Sequence, residues 1–171
     1  MFTKTDIEKY FFAEKQAGLL FLLIGIAAII TAIVFLSILK MPFYKGASIP
    51  LILVGILVGI IGFSVYKRSD ADRIRNVYAY DMNPSELKQK ELPRMKIVMK
   101  SFAIYLYFEI ALLVTGVALY IYFIRDFKND FWRGVGLALA IMSLLALAAD
   151  FFAEKRGRVY TDGLESYLSK K

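Results

Sequence analysis

The chain has 171 residues, a formal net charge of +7 and a mean hydropathy of +0.56, and 58% of its residues are hydrophobic. The apolar residues are gathered in long blocks rather than spread with amphipathic periodicity, which excludes an ordinary soluble domain. The sequence has no cysteine and no histidine, so disulfides, thiolate nucleophiles, imidazole bases and the commonest metal ligands are excluded. We therefore predict no catalytic residue, no metal ion and no cofactor.

Four apolar segments are long enough to cross a bilayer as helices. A helix rises about 1.5 Å per residue, so roughly 20 residues cross a hydrocarbon core of about 30 Å. Trp132 and the pair Phe151 and Phe152 flank the last segment, as aromatic side chains do at membrane interfaces. The sequence predicts an all-α integral membrane four-helix bundle that forms a single domain over residues 1–171. The predicted spans cover about 17–39, 47–66, 101–124 and 133–152.

The distribution of charge orients these spans. Residues 1–16, 67–100 and 153–171 lie on one side and carry 17 basic residues, whereas the two short connections on the other side carry five. Basic residues near span ends are retained in the cytoplasm, so both termini are predicted to be cytoplasmic, in the cell inner membrane. Topology accounts for the positive charge, and we expect the lipid bilayer rather than nucleic acid as the partner of these residues.

The cytoplasmic segments are predicted to be helical extensions of the spans. Between Asp70 and Tyr80 the apolar positions have helical spacing, so the second span is expected to continue into the loop 67–100. Asn83 and Pro84 have the chemistry of a helix N-cap and first position. Leu92-Pro93 is expected to end that short helix, and Pro93 to begin the helix that rises into span three. The tail 153–171 is expected to form a surface helix.

Glu109 lies about 13 Å along a helix from Lys100, near the predicted bilayer midplane. A carboxylate at that depth costs roughly 2.5–3.5 kcal/mol, so it should face protein or water rather than lipid. Thr31 and Ser143 lie near mid-depth of spans one and four and are its predicted partners. Two interpretations remain open: a structural interhelical hydrogen bond, or a site that handles protons or cations.

Small residues predict where the helices pack closely. Gly55, Gly59 and Gly62 form a smooth face on span two that lets another helix approach. Packing inside the bundle is favoured over dimerisation, and a homo-oligomer remains open.

A five-residue segment, Phe-Phe-Ala-Glu-Lys, occurs at 11–15 and again at 151–155. Each copy places two aromatic side chains at the inner membrane interface, where they would act as an anchor. The alternative is a cytoplasmic clasp. The two acidic side chains on the last helix repel each other, and arginines of the inner loop would pair with them and relieve this repulsion. The candidate residues of this clasp are Glu14, Arg73, Arg75, Asp150 and Glu154.

Three stretches resemble a group of small uncharacterised four-span bacterial membrane proteins: Tyr10–Gln16, Asn76–Pro84 and Glu91–Met95. The resemblance implies the topology argued above and no assigned activity.

The hypothesis that best fits the missing catalytic chemistry is a non-enzymatic inner-membrane protein that acts by binding another protein. It would be an accessory subunit of a membrane complex, or an immunity factor against a membrane-active toxin. The alternative is a small transporter or channel that uses Glu109, and a membrane-bound enzyme is the remaining class. The aromatic residues expected to contact a toxin at the outer rim are Phe43, Tyr44, Phe131 and Trp132.

Overall fold

The computed structural model describes residues 2–170, apart from the side chain of Phe127. Four of its helices are long and apolar enough to cross a membrane, which agrees with the predicted all-α, multi-pass class. The α-helices are α1 (Lys4–Val34), α2 (Pro42–Met82), α3 (Pro84–Glu86), α4 (Leu92–Phe123) and α5 (Asp130–Leu168). A π-helical turn, Phe35–Leu39, ends α1, a second, Leu87–Glu91, joins α3 to α4, and a 3-10 turn, Phe127–Asn129, precedes α5.

The polar segments continue the apolar helices without a break. α2 contains both the second apolar segment and the amphipathic stretch after it, and α5 contains the fourth segment and the tail. As predicted, a helix begins at Pro84 after Asn83. The boundary expected at Leu92-Pro93 is where α4 begins, although the π-helical turn leads into α4 without a break. Pro93 lies in the first turn of α4, where its missing N–H removes no hydrogen bond.

The long helices pack in the order α1, α2, α5, α4. α1 and α2 form one antiparallel hairpin, α4 and α5 form another, and α2 and α5 join the two hairpins side by side in parallel. α1 and α4 therefore stand at opposite ends of the row. Contacts between α1 and α4 occur near their first turns, where the Tyr10 hydroxyl meets the Met95 sulfur at 3.6 Å.

The crossing of α2 and α5 is reciprocal. A methyl group added to Gly46 would lie 2.8 Å from the carbonyl carbon of Phe131, and one added to Gly134 would lie 2.8 Å from that of Phe43. The sequences at this crossing match, Phe-Tyr-Lys-Gly at 43–46 and Phe-Trp-Arg-Gly at 131–134. The two hairpins are thus related by an approximate two-fold axis between α2 and α5.

The same register extends along the whole α2–α5 pair. The spacing that matches Gly46 to Gly134 also matches Lys67-Arg68 to Lys155-Arg156. Near the far end of both helices, Tyr80 stacks on Tyr167 with ring centroids 4.7 Å apart. Matched residues of α2 and α5 therefore lie at the same height from one end to the other.

Glycines also close the α1–α2 pair. A methyl group on Gly62 would lie 2.5 Å from the backbone nitrogen of Leu22, and one on Gly25 would lie 2.7 Å from the nitrogen of Gly59. Such distances mean backbone-to-backbone packing, which glycine alone permits. The predicted smooth face of Gly55, Gly59 and Gly62 thus packs inside the molecule, against α1.

The polar cap, which we define as residues 2–16, 67–100 and 153–170, has a core to which all four long helices contribute. Phe2 covers the end of this core. Its ring packs against Tyr160 with ring centroids 5.8 Å apart, and its carbonyl accepts a hydrogen bond from the Tyr80 hydroxyl. The tail is helical as expected, and its apolar face packs into this core, with Tyr160 3% exposed and Leu164 fully buried. The core consists of Phe2, Ile7, Phe11, Ala79, Leu87, Met95, Tyr160 and Leu164.

Candidate functional site

Glu109 lies on the seam between α4 and α5. A methyl group on Gly116 of α4 would meet the carbonyl oxygen of Gly136 on α5 at 2.9 Å, and one on Gly157 of α5 would meet the sulfur of Met99 at 3.1 Å. These two contacts lie above and below Glu109. Residues seven apart share a face of a helix, so Glu109 faces α5 as Gly116 does. Ser143, seven residues after Gly136, faces α4.

The seam contains polar atoms without hydrogen-bond partners. Within the described residues, Oε2 of Glu109 and Oγ of Ser143 are buried and have no partner. Thr31, the other predicted partner, lies on α1, and its hydroxyl donates to the carbonyl of Ala27 in its own helix at 2.8 Å. The structure therefore brings Ser143 onto the same seam as Glu109 but places Thr31 on another helix, away from α4.

Asp150 is a second carboxylate on this seam. It follows Ser143 by seven residues and therefore also faces α4, the helix of Glu109. Side chains of an α-helix point back toward its N-terminus, so in antiparallel helices these two carboxyl groups approach each other.

The predicted clasp is not formed. Arg73 pairs with Asp70 at 3.8 Å and Arg75 with Asp72 at 2.9 Å, each three residues back on α2. Each arginine thus has an acid within one helical turn, which needs less ordering of the long side chain than a bond to another helix. Glu154 likewise pairs with Arg158 at 2.5 Å, and Glu14 pairs with Arg68 of α2 at 3.2 Å.

The two copies of the Phe-Phe-Ala-Glu-Lys segment have different environments. In the first copy Phe11 is 1% exposed within the cap core, and Lys15 pairs with Asp70. In the second, Phe151 and Phe152 are both mostly exposed, at 63% and 59%. Phe12 of the first copy is 60% exposed, so the anchor interpretation suits Phe12 and the second copy, whereas Phe11 is part of the core.

The most buried charged group in the cap is Glu91, whose side chain is 1% exposed. Arg94 donates to both of its carboxylate oxygens, at 2.9 and 2.6 Å, and the Tyr160 hydroxyl donates to it at 3.2 Å. Arg75 of α2 approaches the same carboxylate at 3.9 Å. Side chains from α2, α4 and α5 thus converge on Glu91, which lies in the turn before α4.

Aromatic rings pack around Glu91 and Arg94. Tyr10 stacks on Tyr160 with ring centroids 4.1 Å apart, and the Arg94 guanidinium lies 5.8 Å from the centre of the Phe11 ring. Burial raises the pKa of both tyrosine hydroxyls, so they stay protonated. Burial opposes the charge of Arg94, but the hydrogen bonds and charge of Glu91 outweigh it and raise the pKa of Arg94.

Sequence reasoning missed this network, because Glu91 and Arg94 look like members of an ordinary charged loop. One signal was present: Glu91 precedes Arg94 by three residues, a spacing that lets them pair on a helix. The matching sequences at residues 43–46 and 131–134 were also visible before the structure was known. Only the parallel packing of α2 and α5 shows that these two segments contact each other.

The predicted rim aromatics lie together at the α2–α5 crossing. Phe43 and Phe131 are partly buried there, and the Arg133 guanidinium lies 5.3 Å from the centre of the Phe43 ring. Tyr44 packs against Phe35 at 4.9 Å. Trp132 is the most exposed of the four predicted residues, at 47%.

The described residues include no group of three or more acidic side chains arranged to hold a metal ion. Comparison with known proteins adds no assignment: no family model, no curated protein and no solved structure matches this chain.

Proposed function

We propose that this is a non-enzymatic inner-membrane protein, with both termini in the cytoplasm, that acts by binding another membrane protein through α4. The observation that carries the proposal is the exposure of α4. Among its residues, Met95 and Gly116 are the buried ones, and both face α5. Most residues on the side of α4 that faces away from α5 are exposed and free to contact lipid or a partner. An accessory subunit and an immunity factor both need such a surface.

The chemistry of this surface suits a protein partner. Tyr107 is 75% exposed and the adjacent Phe108 64%; Tyr105, two residues earlier and about 200° round the helix axis, is 54% exposed. Tyrosine is enriched at protein interfaces because it offers a large apolar ring together with a hydroxyl that bonds a partner. A partner helix packed here would satisfy hydroxyl groups that hydrocarbon cannot.

Site-specific photo-crosslinking in native membranes tests the proposal. We expect a photoreactive phenylalanine at Tyr107 to give one discrete product that contains a second protein. Leu53 of α2 is 65% exposed and serves as the matched control, for which we expect no such product. A product of twice the chain's mass would identify a second copy as the partner. Equal labelling at both positions, or no protein product at Tyr107, would contradict the proposal.

A transporter or channel that uses Glu109 is the second candidate. The unpartnered Oε2 of Glu109, with Asp150 on the facing helix, is the observation in its favour. Close backbone contact of Gly116 with Gly136 and Ala140 argues against it, because that contact leaves no space for a path along the seam. An ion moving along the seam would have to pass the point where α4 and α5 are in backbone contact, at Gly116.

Flux measurements distinguish the two candidates. On the binding proposal, we expect proteoliposomes with the wild-type chain and with Glu109→Gln to show the same proton and alkali-cation leak as protein-free liposomes. A flux present with the wild type and lost in Glu109→Gln would instead establish the second candidate, since glutamine keeps the size of the side chain and removes its ionisation. Glu154→Gln, a change at an exposed ion pair outside the seam, is the control.

A further inference from the structure

Each of the four long helices has a lysine at the same height, at the boundary between its apolar part and the polar cap. These residues, which we call the lysine belt, are Lys15, Lys67, Lys100 and Lys155. Lys15 is level with Lys67, because it pairs with Asp70 and lies 5.1 Å from the centre of the Tyr66 ring. The remaining heights follow from the register of the helices.

Lys67 and Lys155 are matched residues of α2 and α5. Contacts at Gly46 and Gly134 fix the register of these helices at one end, and the stacking of Tyr80 on Tyr167 fixes it at the other. The two lysines lie between these points and are therefore level. They come from different elements, so no local sequence signal places them together.

Lys100 is level with Lys155 across the antiparallel α4–α5 pair. A methyl group on Gly157 would lie 3.1 Å from the sulfur of Met99. Lys100 follows Met99 directly and Lys155 precedes Gly157 by two residues, so the two lysines differ in height by about 3 Å or less.

The charges of the belt are not neutralised within the protein. Lys67, Lys100 and Lys155 are exposed, and none of them forms an ion pair in the described part of the chain, in contrast to Lys15. The two acids next to belt lysines in the sequence have other partners: Glu14 pairs with Arg68 and Glu154 with Arg158. Three unpaired positive charges therefore surround the molecule at one level.

We propose that the lysine belt binds the headgroup phosphates of anionic phospholipids. The inference rests on the four helices crossing a bilayer, because the ends of their apolar segments then place the belt at headgroup level. Charge complementarity selects anionic over zwitterionic lipid, since each basic residue near a negatively charged leaflet contributes about 1 kcal/mol. Exposed Phe151 and Phe152 lie just on the apolar side of Lys155, as interfacial aromatics do.

The test compares two triple variants with the same change in charge. Lys67→Gln/Lys100→Gln/Lys155→Gln removes the unpaired belt. Lys9→Gln/Lys88→Gln/Lys170→Gln removes three exposed lysines of the cap that lie farther from the apolar segments and that also form no ion pair among the described residues. Each protein, in detergent, is titrated with phosphatidylglycerol or phosphatidylcholine, and bound lipids are counted by native mass spectrometry.

We expect the wild type and the cap variant to retain phosphatidylglycerol in preference to phosphatidylcholine. The belt variant should lose this preference, with affinity for phosphatidylglycerol falling about fivefold per lysine, the equivalent of about 1 kcal/mol each. Millimolar inorganic phosphate should not displace the lipid. An equal loss in both variants, unchanged binding in the belt variant or displacement by phosphate would overturn the proposal. The partner test at Tyr107 has a separate readout, so either proposal can fail alone.

Discussion

Gly46→Ala is expected to lower the free energy of unfolding by at least about 1–3 kcal/mol, the usual cost of overpacking. The added methyl group would overlap the backbone carbonyl of Phe131, and a backbone cannot rotate aside as a side chain can. Gly134→Ala should have an effect of similar size, because its methyl group meets the carbonyl of Phe43 in the same way. The thermal unfolding midpoint of the detergent-solubilised protein measures both effects.

The reciprocal crossing makes a sharper prediction for the double variant. Either methyl group alone forces α2 and α5 apart, and the space that this opens accommodates the second. We therefore expect Gly46→Ala/Gly134→Ala to be less destabilised than the sum of the single variants, as for residues that share one contact. Additive effects would show that the two glycines do not belong to one crossing.

Gly59→Ala is the matched control, within α2. A methyl group there would lie 3.9 Å from the Cα of Gly25, an ordinary van der Waals contact, and alanine is the better helix former. We expect the unfolding midpoint to be unchanged or slightly higher. A loss as large as that of Gly46→Ala would mean that the α1–α2 pair is closer than the structure has it.

The helices themselves could be predicted from the sequence, because each rests on local patterns. Uncharged stretches such as residues 17–39 give the apolar part of a long helix directly, and Pro84 after Asn83 gives a helix start. Leu92-Pro93 likewise marks where α4 begins, because a proline in the first turn of a helix removes no hydrogen bond. The π-helical turn that leads into α4 without a break has no such signal in the sequence.

The interhelical partners could not be predicted, because they depend on which helices become neighbours. Thr31 and Ser143 were equally good partners for Glu109 by depth, and only the packing order places Ser143 on the seam and Thr31 away from it. The same holds for Arg73 and Arg75, which satisfy acids of their own helix. The depth of a residue in the bilayer follows from its position in the sequence. Which neighbouring helix its side chain faces is decided only when the helices pack together.

Glu91→Ala is expected to destabilise the protein by about 3–5 kcal/mol, the usual result of breaking a buried ion pair by removing one partner. The change leaves the largely buried Arg94 without its carboxylate and the Tyr160 hydroxyl without its acceptor. Because the cap core draws on α1, α2, α4 and α5, its loss should release all four helices at this end. Hydrogen exchange should report lost protection in the cap before the apolar segments.

Glu86→Ala, five residues earlier at the end of α3, supplies the comparison. Glu86 pairs with Lys90 at 2.7 Å, but the lysine side chain is 70% exposed and water screens the pair. We expect little change in the unfolding midpoint. Similar losses for Glu86→Ala and Glu91→Ala would mean that burial does not set the strength of the Glu91 network.

A third variant separates the loss of attraction from the cost of an unpaired buried charge. Glu91→Leu/Arg94→Met removes both charges and keeps similar side-chain volumes, which is often neutral when a buried pair is replaced by apolar groups. We expect it to be more stable than Glu91→Ala, although the Tyr160 hydroxyl still lacks an acceptor; adding Tyr160→Phe should recover part of the remaining loss. If the double variant is as unstable as Glu91→Ala, the loss in Glu91→Ala does not come from leaving the Arg94 charge buried without a partner. The Glu91 network would then stabilise the cap through its hydrogen bonds.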